Sequence, residues 1–174
     1  LEQGETLRSP PALRQLAAQV LQAEAIPLKG RPSMFKTILV PVDLSDLAVA
    51  APALDAAVRM AEWSGAALRV INVQQMLPAT YMDYVPSDFD AQQREWAESE
   101  LKRIMQKIHL PPERISSIVR VGGVYPEILS EADEWGADLI IIGSHRPAMS
   151  TYLLGSNAKT VVRHAKCSVL VVRE

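Results

Sequence analysis

Gly143, Ser144, His145 and Arg146, followed after a short interval by Gly155, Ser156 and Asn157, are the residues of this chain best suited to holding an anion. They lie between two apolar β-branched runs at 139–142 and 168–172. The order is therefore buried strand, polar loop, helix opening at Gly155-Ser156, and a second buried strand. The first turn of a helix leaves backbone N–H groups without partners and carries the positive end of the helix dipole, and both favour phosphate. In an open α/β fold such a helix start lies at the carboxyl edge of the sheet, where ligands bind. Arg146 brings a rigid fork of donors that suits phosphate oxygens. Pro147 stiffens the loop and removes one donor. Ser144, Ser150 and Thr151 add hydroxyls that face either phosphate or solvent.

Each of these residues has a plainer role open to it. Gly155 serves a tight bend, Ser156 an ordinary N-cap, and Asp43, after an early apolar run, caps the turn into the following helix. Other chemistries lack their residues. The three histidines, His109, His145 and His164, show no metal-ligand spacing, and there is no CxxC or HExxH. His164 beside Arg163 suits a helix C-terminus. Neither a GxSxG elbow nor a GxxxxGK[ST] phosphate loop occurs. Trp63, Trp96 and Trp135 fall on helical patterns and read as packing residues, not as a base-stacking platform.

The elements that must position these residues follow from periodicity. Apolar runs at 37–42, 68–73, 116–121, 139–142 and 168–172 read as strands, alternating with helical patterns. That alternation predicts a parallel α/β sheet. Ser45 or Asp46 can cap the first helix, whose face carries Ala50, Leu54, Val58 and Ala61. Pro52 implies that this helix starts near Ala51 or kinks there, and Gly65 closes it. The second helix shows Ala97, Leu101, Ile104, Met105 and Ile108 in register and stops before Pro111-Pro112. The third carries Pro126 in its first turn and Gly136 past its end; Gly122-Gly123 before it reads as a turn.

Residues 1–33 stand apart as an N-terminal extension. Leu13, Leu16, Ala17, Val20 and Leu21 allow one amphipathic helix there, and the segment reads as a leader, a linker or the tail of a preceding domain, with a docking helix as the alternative. At 174 residues and net charge −2, the chain suits a domain with a sizeable core and carries no electrostatic footprint for nucleic acid or an anionic membrane. No apolar run is long enough for a bilayer, so membrane insertion is not expected. A single cysteine, Cys167, cannot form an internal disulfide, which points to a reducing compartment, the cytoplasm. Beside SVLVV it reads as a packed, inert thiol.

The string GSHRPAMSTYLLGSNA, followed by VVRHA and CSVLVVR, resembles the universal stress protein family, and most closely its F/G-type short members. Nucleotide-binding members carry a Gly-x-x-Gly loop and a later Gly-Ser or Gly-Thr. Here Arg146 stands at the second glycine, and the loop is slightly shorter than the common form. The resemblance spans residues 34–174 and implies one open five-stranded parallel sheet, order 3-2-1-4-5, with helices on both faces. It implies adenine-nucleotide binding, with ATP (or AMP or ADP) as ligand and Mg as a companion of the phosphates. Asp43, with its neighbours Pro41 and Val42, and the backbone of Val73 would then meet the nucleoside. Ile142, Gly143, Ser144, His145 and Arg146 would approach ribose and phosphates, and Gly155, Ser156 and Asn157 the phosphate oxygens. It further implies a homodimer through the last strand, with regulation of an unknown protein partner. Slow ATP hydrolysis or autophosphorylation, and a nucleotide-free dimeric scaffold, are the alternatives it leaves open.

Overall fold

The computed structural model describes residues 34–78, 80, 84–144 and 155–173. The helix expected within residues 1–33 lies outside them, as do His145, Arg146, Pro147, Ser150 and Thr151.

Each apolar run becomes a strand: β1 (Thr37–Pro41), β2 (Ala67–Gln74), β3 (Ile115–Val121), β4 (Leu139–Gly143) and β5 (Ser168–Val172). They form one sheet in the order β3-β2-β1-β4-β5, every neighbouring pair parallel, as expected. Parallel strands need crossovers, and these are the helices α1 (Leu47–Ser64), α2 (Phe89–Met105), α3 (Val124–Trp135) and α4 (Ser156–His164). Side chains alternate across each strand. Ile38 and Val40 therefore join Leu68, Val70 and Ile141 beneath α1 and α2. Leu39, Ile71, Ile140 and Ile142 form the opposite layer, beneath α3 and α4.

Local chemistry sets the helix ends. The Asp46 carboxylate accepts the Val49 N–H at 3.4 Å, and Gly65 closes α1 in the left-handed region at φ 74°. Pro52 neither delays nor ends that helix: it begins at Leu47, ahead of the start expected near Ala51. In the second turn a proline removes the bond its own N–H would have made to the Ala48 carbonyl and crowds that carbonyl with its ring. The stripe Ala50, Ala53, Ala57 and Ala61, buried on the sheet, holds the helix in place. Ile108, expected in register on α2, lies beyond its end at Met105. There the bonds tighten to Lys107 N–H with Ile104 C=O (3.0 Å) and Ile108 N–H with Met105 C=O (3.1 Å). A turn rather than the helix thus presents Ile108 to the core.

Charge fastens α3. Glu131, 2% exposed, accepts from Arg69 of β2 at 2.6 Å and from Arg120 of β3 at 2.5 Å. Arg120 also bonds Glu134, and its hydrogen bonds, with one from Ser130, hold the Glu134 carboxyl below the usual carboxylate range. The Arg69 guanidinium lies 4.5 Å from the centre of the Trp135 ring and donates to Ser116 at 3.0 Å. Removing one partner of a buried ion pair leaves the others uncompensated. Arg69 and Arg120 keep about a quarter of their side-chain surface in water. Glu131→Ala is therefore expected to lower stability by about 2–4 kcal/mol, measured by urea unfolding, near the lower end of what such a loss costs. A loss under about 0.5 kcal/mol would show that this cluster does not hold the helix.

Candidate functional site

The carboxyl ends of the parallel strands share one edge. From β1 the chain crosses to the α1 face, and from β4 to the α4 face, so the two connections part and leave a crevice between them. Its volume is about 500 Å³. Pro41 of β1 and Val42 and Asp43 after it, Val73 of β2, Ile142 and Gly143 of β4, and Asn157 of α4 all line it. The sequence singles out these residues in separate stretches of chain, and the fold brings them together.

Ser144, Gly155 and Ser156 sit at the neck of the intervening loop rather than in the crevice wall. Ser144 donates its N–H to Val172 C=O at 2.9 Å, and its carbonyl accepts the Gly155 N–H at 3.1 Å. Gly155 is the N-cap of α4, so Ser156 is its first helical residue and not the cap. The ladder starts with Lys159 N–H on Gly155 C=O at 2.9 Å. The N–H groups of Ser156, Asn157 and Ala158 precede it and form the donor end of the helix. A β-carbon at Gly155 would lie 3.6 Å from the Ser144 oxygen, and one at Gly143 3.5 Å from the Val49 oxygen, both ordinary contacts. With φ −54°, position 155 does not demand glycine for its backbone.

The other end of the crevice is built on β1 and β2. Val42 N–H donates to Ile71 C=O at 2.9 Å, after which β1 turns away. Backbone groups alternate in direction along a strand, and Gln74 C=O accepts the Gly122 N–H on the β3 side. The Val73 N–H and C=O consequently face the side that β1 has left, towards the crevice. Asp43 does what its plainer reading required: its Oδ1 accepts the Ser45 N–H at 2.9 Å and the Ser45 hydroxyl at 2.6 Å. It is also the one charged side chain among the described residues lining the crevice.

Several lining residues escape sequence reasoning. Asn72, 4% exposed, donates its amide to Val42 C=O at 3.0 Å and accepts from the Gln74 amide at 2.7 Å. A polar residue inside the apolar run LRVINV is its signal, because a buried amide must find partners. Trp96 corrects an expectation. It is 49% exposed and, with Gln93, borders the crevice instead of packing in the core. Trp63, 61% exposed, is not core either, whereas Trp135 packs as expected. Burial pushes the Cys167 thiol up, consistent with an unreactive sulfur.

The family model of the universal stress protein family matches residues 34–173. The chain belongs to that family. Universal stress protein G of Escherichia coli O157:H7 is 38% identical over 146 residues, covering 80% of this chain and all of that protein. Universal stress protein YxiE of Bacillus subtilis is 32% identical over 150 residues, with the same coverage. Among solved structures, the universal stress protein UspA from Lactobacillus plantarum superposes with a TM-score of 0.67 at 26% identity, covering 79% of this chain and 97% of that one. A universal stress protein in complex with cAMP gives 0.52 at 28% identity, covering 79% and 96%. The parallel sheet and its crevice thus belong to a universal stress protein domain.

Asn72 ties the rim of that domain's crevice together, so its removal leaves Val42 C=O without this donor. Asn72→Ala is expected to cost about 1–3 kcal/mol in urea unfolding. Unchanged stability would mean that the Val42 carbonyl finds another partner at no cost.

Proposed function

We propose that the crevice binds an adenine nucleotide and that the protein works as a dimeric regulatory or stress-response factor. The observation that carries this reading is the pairing of two donor sites across one cavity. The N–H groups that open α4 ahead of its hydrogen-bond ladder suit phosphate, and the Val73 backbone suits the edge of a base. A solved relative in complex with cAMP adds support from the family. ATP is the ligand of choice, with AMP and ADP as competitors. Asp43 and Val73 then serve the nucleoside, Gly143 lets ribose and phosphate approach, and Gly155, Ser156 and Asn157 face phosphate. His145 and Arg146, outside the described residues, would add positive charge on the phosphates. Magnesium would accompany the phosphates and keep part of its water shell.

A ligand that prefers one state of the protein shifts its population, so binding can regulate a protein partner without turnover. A second copy is the first such partner. β5 lies at the sheet edge, with Leu170 37% exposed and Val169, Val171 and Val172 half-buried. An apolar edge strand invites pairing, and two copies joined through residues 169–172 about a two-fold axis would cover it. The lone thiol suits a cytoplasmic setting.

Mass spectrometry of small molecules released from freshly purified protein, with calorimetric titration of ATP, tests the reading. Ser156→Ala should weaken ATP binding by roughly ten- to a hundred-fold, the loss of one hydrogen bond to a charged group. Gly155→Val should abolish binding yet keep the fold, because the position has room and an ordinary φ. Asp43→Ala should weaken adenosine as well as ATP. Parent-like ATP binding in all three variants would refute the site. Sedimentation is expected to show a dimer at micromolar concentration; a monomer unaffected by ATP would rule out the β5 interface.

A further inference from the structure

The α2 wall of the crevice has no role in the phosphate and backbone contacts just proposed, yet it carries the cavity's one aromatic side chain among the described lining residues. Gln93 and Trp96 stand three residues apart and so share one flank of the helix. Next to that flank runs the buried stripe of Ala97 and Leu101, which leaves Trp96 half in water at the cavity edge. A large indole left half exposed beside a cavity, while alanine fills the neighbouring core position, offers a flat apolar surface to a planar ligand. The amides of Gln93, Gln74 and Gln75 border the same cavity.

Building on the nucleotide reading, we propose that Trp96 and Gln93 select the base. Trp96 stacks on the purine ring, and Gln93 reads its edge. On the N7 edge of a purine, a side-chain amide accepts from N6–H and donates to N7 of adenine, whereas O6 and N7 of guanine call for a doubly donating cation. The described lining residues supply neutral amides here and no cation. The arrangement therefore discriminates for adenine over guanine. It also places base recognition on a helix of this chain instead of on backbone alone.

The test uses the full chain, with ATP and GTP as probes, by calorimetry and tryptophan fluorescence. Trp96→Ala should fold, since it removes a half-exposed ring and installs the best helix former. It should weaken ATP binding at least about ten-fold, as loss of base stacking does. Trp96→Phe should bind within about three-fold of the parent while losing the ATP-induced fluorescence change that the indole reports. Gln93→Leu should narrow the preference for ATP over GTP about ten-fold. Parent-like ATP binding by Trp96→Ala would overturn the proposal, while the nucleotide reading would survive if Gly155→Val still abolished binding. Retention of the full fluorescence change in Trp96→Phe would also overturn it. A parent protein that binds no ATP would overturn both.

Discussion

Burial of β1 and β4 on both faces is the constraint from which the rest of the molecule follows. Ile38, Leu39 and Val40 have no exposure at all, and Ile140 and Ile141 share that condition. Strands so placed must pair their backbone groups on both sides and carry helices above and below. Parallel crossovers satisfy the second demand, and their right-handedness sends the connection after β1 and the one after β4 to opposite faces. The crevice is the gap that this divergence leaves. Its lining of strand ends, of the starts of α1, α3 and α4 and of one flank of α2 results from packing before any ligand is considered.

The two helical layers meet this constraint by different means. Under α1 the contact is alanine against sheet, four small side chains that allow close approach and leave few polar groups to satisfy. Above the other face α3 carries Glu131, whose carboxylate is shared between Arg69 and Arg120 from adjacent strands. A buried carboxylate is tolerable only with such partners. The charge cluster fixes α3 laterally against β2 and β3. It thereby holds Val124 and Ile128 at the crevice wall, so a feature with no ligand role still shapes the cavity.

Strands are the most legible part of the sequence because each is a short run rich in β-branched apolar residues and bounded by turn residues. The run 168–172 matches β5 residue for residue, and the others differ by one position at one end or at both. Helix details are less legible. Local propensity makes Pro52 a boundary, but the buried alanine stripe overrides the loss of a single backbone bond. Ile108 keeps its apolar contact from outside the helix, which periodicity cannot distinguish from a place within it. In the site, the residues at strand ends and at the start of α4 are visible because βα loops of a parallel sheet must gather. Asn72 and Trp96 are not, since their roles depend on a hydrogen bond across two strands and on which flank of α2 borders the cavity.

In the proposed binding mode, the donor end of α4 and the backbone of Val73 hold one nucleotide between them. Amide chemical shifts followed by NMR during an ATP titration test it most directly. The largest shifts are expected on Val73, Ser156, Asn157 and Ala158, with little change at the β3 residues Ser116 and Ser117. Shifts confined to other surfaces, or no shifts with millimolar ATP, would contradict it.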